Sequence, residues 1–246
     1  MNSDAIFVEG ADRPGRWLIT CDHAGNHVPD DVGGGSLGLP DADMARHIAW
    51  DPGAAGVARA LGRLLDAPVV GCNISRLVID PNRGEDDPTL LMRLYDGSVI
   101  PANRDADANE RARRLDAYYR PYHATLARLA ARRDDTVICS VHTFTPQLRG
   151  RAPRPWHIGV LSAHDRRLVD PVLTHLRAQP DLCVGDNVPY VGHFPGDAID
   201  RHALRHGRLN VLLEIRNDLI ESLPDQEHWA ARLASALDAG LADTHL

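Results

Sequence analysis

The apolar positions of this chain fall into short continuous runs separated by stripes at helical spacing. Trp17-Leu18-Ile19-Thr20-Cys21 is a compact apolar run that empties into Asp22-His23-Ala24-Gly25-Asn26, the pattern of a buried strand stopping near His23 and leading into a polar loop. Beyond a stretch rich in Gly and Pro, Met44, Ile48, Val57, Leu61, Leu64 and Leu65 recur at helical spacing. Asp51-Pro52 divides that helical segment, because a residue before proline avoids the α region while proline suits the first turn of a new helix. Residues 69–72 and 77–79 predict strands, the second closed by the turn chemistry of Asp80-Pro81-Asn82-Arg83.

Further along, Leu115, Tyr118, Tyr119, Tyr122, Leu126 and Leu129 make the apolar stripe of a long helix from Asn109, interrupted or kinked near Pro121. Residues 136–141 are a near-continuous β run, the signature of a central parallel strand, and they deliver His142 at its carboxyl end. Strands are expected again at 157–161 and 210–215, and helices at 167–177 and 226–241. Strands alternating with helices predict an α/β fold of three layers, a mostly parallel central sheet flanked by helices. No repeat, low-complexity tract or linker divides the chain, and 246 residues sit at the upper end of one α/β domain, so residues 1–246 are expected to form a single domain.

Composition narrows the partners. A net charge of −7 offers no basic face for counterion release on a nucleic acid. The longest apolar stretch, residues 69–79, is broken by Asn73, Ser75 and Arg76, so no membrane span is expected. Met1-Asn2-Ser3-Asp4 lacks the basic start and apolar core of a signal peptide, and Cys21, Cys72, Cys139 and Cys183 show no C-x-x-C spacing. The expectation is a cytoplasmic protein with reduced thiols, acting on a small molecule.

His23, His142 and Glu214 stand at the ends of three predicted strands, and their side chains suit a common purpose. In an open parallel sheet the carboxyl ends of the strands line one crevice, so distant residues meet there. Two imidazoles and a carboxylate suit Zn2+, which at a catalytic site takes about three protein ligands and keeps a position for water. A strand-end histidine standing alone more often makes an ordinary hydrogen bond. Glu214, set within Val211-Leu212-Leu213-Glu214-Ile215, faces several kcal/mol of desolvation unless Arg83 or Arg216 neutralises it or it works in a site.

The segments Cys21-Asp22-His23-Ala24-Gly25-Asn26-His27-Val28-Pro29, Ser75-Arg76-Leu77-Val78-Ile79-Asp80-Pro81-Asn82-Arg83, Tyr119-Arg120-Pro121-Tyr122-His123, Ser140-Val141-His142-Thr143-Phe144-Thr145-Pro146, Gly185-Asp186-Asn187-Val188-Pro189-Tyr190 and Glu214-Ile215-Arg216-Asn217-Asp218 together resemble the N-formylglutamate amidohydrolases, in that family's order. A broader likeness to zinc carboxypeptidases implies a zinc-exopeptidase-like (phosphorylase/hydrolase-like) sheet. It also implies His23 and His142 as Zn2+ ligands, with Glu214 as general base toward the attacking water and then acid toward the leaving amine. Arg76 and Arg83 would grip a substrate carboxylate or the developing oxyanion, with Asn82 beside them and Arg216 following Glu214.

Where the carboxypeptidases carry a ligating glutamate three residues after the first histidine, this chain has Asn26, a weak neutral ligand. Asp51 is the candidate third ligand, its position resembling the acidic ligand of cell-wall amidases. Asp51 equally suits the N-cap of a helix beginning at Pro52, and His47, one helical turn earlier, is a further candidate. Asn187 and Tyr190 are candidate substrate donors from a turn, and His202 and His206 candidate crevice residues. Arg111, Arg113, Arg114, Arg132 and Arg133 read as solvated helix faces.

The implied reaction is hydrolysis of the amide in a small N-formyl or N-acyl amino acid that bears a carboxylate. A cell-wall or peptide amidase with the same metal apparatus is the enzyme alternative, and an open groove would favour it. A metal-free carboxylate-binding protein is the alternative from another class, prompted by Asn26. No G-x-G-x-x-G turn follows an early strand, which removes a dinucleotide-dependent dehydrogenase.

Overall fold

The structure, a computed structural model, describes residues 5–244; residues 1–4, on which the reading of the N-terminus rested, lie outside the described residues. Its first half runs β1 (Ile6–Glu9), β2 (Trp17–Cys21), α1 (Asp41–Met44), α2 (Ala54–Leu64), β3 (Val69–Cys72), a two-residue-stranded hairpin β4 (Leu94–Tyr95) and β5 (Ser98–Val99), α3 (Pro101–Arg104), α4 (Ala108–Arg114) and α5 (Arg120–Ala130). The second half runs β6 (Val137–Phe144), β7 (Ile158–Leu161), α6 (Val169–Arg177), β8 (Val184–Asp186), α7 (Ala198–His202), β9 (Asn210–Arg216) and α8 (Leu223–Asp243).

Among the described residues seven strands form one sheet in the order β1-β3-β2-β6-β9-β7-β8. The central run β3-β2-β6-β9 is parallel, β1 joins β3 antiparallel, and β7 lies antiparallel to β9. The three-layer, mostly parallel α/β expectation is met. The central strands are buried on both faces, and alternate residues enter two separate cores. Ile19, Cys139, Val141, Val211 and Leu213 pack beneath α2, α6 and α8, whereas Leu18, Ile138 and Leu212 pack on the other side with Tyr122, Leu126 and Leu129 of α5. This double burial is why those strands read as unbroken apolar runs. No described helix is long and apolar enough to cross a membrane, and all four cysteines are free.

Three sequence expectations need correction. Residues 77–79 form a turn, because their carbonyls are satisfied by side chains instead of a neighbouring strand: Asn103 Nδ2 donates to Leu77 O (2.7 Å) and Arg114 Nη1 to Val78 O (2.8 Å). Arg114 is accordingly 1% exposed, not part of a solvated face. The helix α2 begins at Ala54 behind Gly53, whose φ of 82° gives the left-handed entry that glycine tolerates. Asp51 does not cap it, and the Asp51 side chain is released for other contacts.

The expected interruption near Pro121 is a π-helical turn, Leu115–Tyr119, joining α4 to α5. Proline has no N–H for the i−4 carbonyl and its ring crowds that oxygen, so the preceding turn opens and Arg120 N–H bonds back to Leu115 O. The end of the turn and the start of α5 present three side chains to the polar segments around Asp22 and residues 81–83. Tyr119 donates to Arg83 O (2.6 Å), Tyr122 to Asp22 Oδ1 (2.6 Å), and His123 Nε2–H to Pro81 O (3.0 Å).

His123 leads to a testable property. Because its Nε2 carries the proton given to Pro81, its Nδ1 accepts from His202 Nε2–H at 2.8 Å. Burial pulls His123 from 6.5 down to about 3 and His202 to about 4. Below pH 6.5 the unfolded chain binds protons that the folded chain refuses, so stability falls as the pH drops from 6.5 toward 4, by about 1 kcal/mol per pH unit for each histidine. Denaturant unfolding of wild type and His202→Asn at pH 7 and pH 5 checks this: the variant should lose part of the acid slope, and identical slopes would contradict the assignment.

Candidate functional site

The carboxyl ends of β2, β6 and β9 lie side by side, and register brings their polar residues together. His142 of β6 is paired with Glu214 of β9, and both lie on the face of the sheet that receives Leu212, since Val141 and Leu213 point to the other. His23 follows β2 by two residues. Its ring centroid is 4.9 Å from that of His142, at an interplanar angle of 69°.

Asp51 stands between the two rings. Its Oδ2 lies 2.9 Å from His142 Nδ1 and 3.4 Å from His23 Nδ1, and accepts the backbone N–H of Thr143 at 3.2 Å. Ligand atoms of His23, Asp51 and His142 all lie within 4.8 Å of one another, and all three residues are buried. The opposite nitrogens meet carboxylates: His23 Nε2 reaches Asp80 Oδ1 at 2.7 Å and His142 Nε2 reaches Asp22 Oδ2 at 3.1 Å. Such partners fix an imidazole so that its Nδ1 lone pair faces inward and becomes more basic. Asp80 is in turn held by Arg76 at 2.7 and 3.1 Å and by Asn82 N–H at 2.9 Å.

The electrostatics of the cluster call for a cation. Asp22, Asp51 and Asp80 are at most 2% exposed; Arg76 contacts Asp80 at 2.7 Å and lies 3.6 Å from Asp51 Oδ1, and Asp22 meets His142 and Tyr122. Burying carboxylates costs several kcal/mol each unless positive charge compensates. Burial raises the Asp51 carboxyl, but the His23 charge and the His142 hydrogen bond outweigh it and the group sits far below its ordinary value. Burial likewise opposes charge on His142, yet hydrogen bonds to Asp22 and Asp51 raise it well above 6.5, so a proton on His142 and the Arg76 guanidinium stand against three buried carboxylates. Two imidazole nitrogens and a carboxylate oxygen, with a proton that a metal would displace, fit a divalent cation of the borderline-soft kind.

Glu214 is poised differently. Burial first, then the neighbouring Asp51 charge, push its carboxyl from 4.5 up to about 7 against the opposing pull of His142. Among the described residues its Oε2 is buried with no hydrogen-bond partner. The backbone beside it is crowded too: a Cβ on Gly159, its neighbour on β7, would stand 2.1 Å from Val188 O, so residues 187–190 cross directly over the sheet here.

A cavity of about 340 Å³ opens on these groups. His23, Asp51, His142, Glu214, Arg76, Asn82, Arg83 and Tyr190 all line it. Asn187 and Arg216 do not. Asn187 Oδ1 accepts from Ser162 N–H (2.9 Å), which ties the turn to the end of β7, and Arg216 forks onto Asp218 at 2.8 and 3.3 Å. Asn26 is spent on Met44 O at 2.9 Å. His47 lines the cavity beside Asp96 (3.6 Å) and is kept neutral, burial pulling it to about 4. His202 lies outside the cavity lining, paired with His123, and His206 is exposed.

Sequence reasoning passed over Asp22 and Asp80, which orient the two histidines, and over Tyr95, Phe194 and Asp197 in the cavity wall. Asp22 precedes His23 and Asp80 precedes Pro81, so both looked like solvated turn residues. Their signal was position within the polar strand-end segments that already held candidate residues.

A mostly parallel α/β sheet with a buried His-Asp-His set at its carboxyl edge defines an α/β protein with a candidate divalent-metal site. Comparison with known proteins makes the identification specific: the chain belongs to the N-formylglutamate amidohydrolase family, whose sequence profile matches residues 15–221. It is similar to the N-formylglutamate deformylase of Pseudomonas putida, with 34% identity over 125 residues; the match spans 45% of this chain and 43% of that protein, less than half the length of this curated relative. Among solved structures, a gene product of Agrobacterium tumefaciens superimposes with a TM-score of 0.93 at 36% identity, covering 99% of this chain and 97% of that one. The N-formylglutamate amidohydrolase of Ralstonia eutropha shares the fold, with a TM-score of 0.69 at 22% identity over 98% of this chain and 97% of its own.

Proposed function

We propose that this chain hydrolyses the C–N amide bond of a small N-formyl amino acid such as N-formylglutamate, with His23, Asp51 and His142 holding Zn2+ and Glu214 as general base. The observation that carries the reading is the pairing of a three-ligand cluster with an uncommitted, buried carboxyl in register beside it. When bound, Zn2+ supplies Lewis acidity that polarises an acyl oxygen and brings the pKa of a coordinated water to about 7.

The chain's own groups account for the proton and the substrate. Glu214, ionised, takes a proton from the attacking water as the new C–O bond forms. It then gives that proton to the amine nitrogen as the C–N bond breaks, leaving formate and the free amino acid. Asp22 and Asp80 keep the two imidazoles in one tautomer throughout. A carboxyl whose ordinary value is raised toward neutrality by burial is suited to both transfers.

Arg83 is our candidate for the substrate carboxylate. Its Nε donates to Thr89 Oγ1 (3.1 Å) and its Nη1 to Asn82 O (2.7 Å), while the guanidinium lies 4.7 Å from the Phe194 ring centroid. Among the described residues it has no carboxylate partner, whereas Arg76 is already committed to Asp80. Arg83→Ala should raise KM for N-formylglutamate about 10–100-fold, the effect of losing a charge-assisted bond, with little effect on an amidated analogue. Equal losses on both substrates would contradict the clamp.

The cavity of about 340 Å³ suits a small molecule rather than the open groove that a cell-wall strand requires. The motive for a metal-free binder was Asn26, and Asp51 brings a carboxylate oxygen to the cluster in its place. Assay of the zinc-loaded protein against a panel of N-acyl amino acids tests the reading: turnover of N-formyl substrates is expected, and no release of formate or other acid from any of them would overturn it.

A further inference from the structure

Besides Arg76 and Arg83, a third guanidinium serves the cavity, at one remove, behind Tyr190. Arg154 is not itself in the lining, but its Nη1 donates to the hydroxyl of Tyr190, which is, at 3.1 Å. The same Nη1 is anchored to Thr145 O at 3.0 Å, and the guanidinium lies 5.0 Å from the Tyr190 ring centroid and 5.7 Å from that of Phe144. Its backbone is fixed as well: Arg154 N–H donates to Pro146 O (2.8 Å), and Arg154 O accepts from Arg216 Nη1 at 3.3 Å. Among the described residues no carboxylate lies within ion-pair distance of Arg154, so its side chain is held by Thr145 O and the Tyr190 hydroxyl.

A phenol oxygen accepts as well as donates, and at neutral pH it keeps its proton. Arg154 is a donor only, so the Tyr190 oxygen must accept from it, and the Tyr190 proton points elsewhere. Among the described residues that proton has no acceptor. We propose that Arg154 is a positioning residue for substrate capture: by occupying the Tyr190 oxygen from outside the lining, it turns the Tyr190 O–H into the cavity as a donor to a substrate carboxylate. Tyr190 then makes the contact, and Arg154 fixes its direction and strengthens it. Arg216, which stands outside the cavity, gains a part in the same device by holding the Arg154 backbone.

The inference rests on the N-formyl amino acid reading, and a double-mutant cycle on Tyr190→Phe and Arg154→Met tests it by kinetics and by calorimetric binding of an N-formyl amino acid. Each single variant should raise KM and weaken binding about 10-fold, the scale of a hydrogen bond to a charged group, with kcat within about threefold of wild type. The double variant should be no worse than about twofold beyond Tyr190→Phe, because Arg154 acts through the hydroxyl. Arg154→Lys should recover part of the loss, since an ammonium donates to the same oxygen. Multiplying losses in the double variant, an Arg154→Met protein within twofold of wild type, or a loss confined to kcat would each overturn the proposal. Run on the N-formyl amino acid of the panel that wild type binds best, the cycle separates the two: binding without cleavage of any panel member would defeat the hydrolysis reading while the binding cycle still decided the Arg154 role, and a wild type that binds none of them would overturn both.

Discussion

Glu214→Gln is expected to lower kcat on an N-formyl amino acid by about 10³-fold while leaving metal content and fold intact, in line with the contribution of a positioned proton-transfer group. The amide keeps the size of the carboxyl and cannot take a proton from water. The same substitution has a stability signature in metal-free protein. Burial holds the Glu214 carboxyl at about 7 instead of 4.5, so the folded state is penalised progressively as the pH rises from 4.5 to 7 and fully above it. Metal-free Glu214→Gln should therefore match wild type in stability near pH 4.5 and exceed it at pH 8. With the cation bound, positive charge lowers the carboxyl, and the acid limb of kcat/KM should fall between those two values and vanish in the variant. A variant that retains turnover within a few-fold would remove Glu214 from the proton path.

His142→Ala is expected to abolish stoichiometric metal binding and with it activity, because it removes one of the three proposed ligands and takes from the buried Asp22 and Asp51 the imidazole they share. The flanking carboxylates should have smaller, graded effects. Asp22→Asn and Asp80→Asn each take away the group that holds an imidazole Nε2–H, and metal affinity should fall about 10–100-fold in each. Uptake of the cation should release protons, since ligands bind in their deprotonated forms and the His142 proton is held by two carboxylates. Calorimetry in two buffers of different ionisation enthalpy reads that release. Unchanged affinity in His142→Ala would contradict the ligand set.

The parts of this fold that were legible in the sequence are those that local pattern determines. Residues 69–72, 136–141 and 210–215 are buried on both faces, and strands so placed are apolar at most positions, with Thr136, Ser140, Asn210 and Glu214 as the polar exceptions. What stayed hidden depends on contacts distant in sequence. Leu77-Val78-Ile79 has the composition of a strand and is a turn, because Asn103 and Arg114 supply the donors that a neighbouring strand would have given. The edge strands β1 and β8 are short and half-exposed, and the antiparallel direction of β7 follows from how its connections cross the sheet, which no local pattern records.

The site divides along the same line. His23, His142 and Glu214 stand at the ends of strongly patterned strands, and a parallel sheet brings such ends together. Asp51 was ambiguous because an acidic residue before proline suits a helix start as well as a ligand. Gly53, with its left-handed backbone, begins the helix instead. Asn187 and Arg216 sit in segments of the right kind, yet their side chains stabilise the turn and the strand end that surround the cavity. Asp22 and Asp80 carried no pattern of their own; they gain meaning only from the imidazoles they face.

Whether His23, Asp51 and His142 share one divalent cation beside Glu214 is read from anomalous diffraction at the zinc edge of zinc-equilibrated crystals. One strong peak per chain is expected where Nδ1 of both histidines and the Asp51 carboxylate converge. A peak at other residues, or none where these three side chains meet, would contradict the shared site.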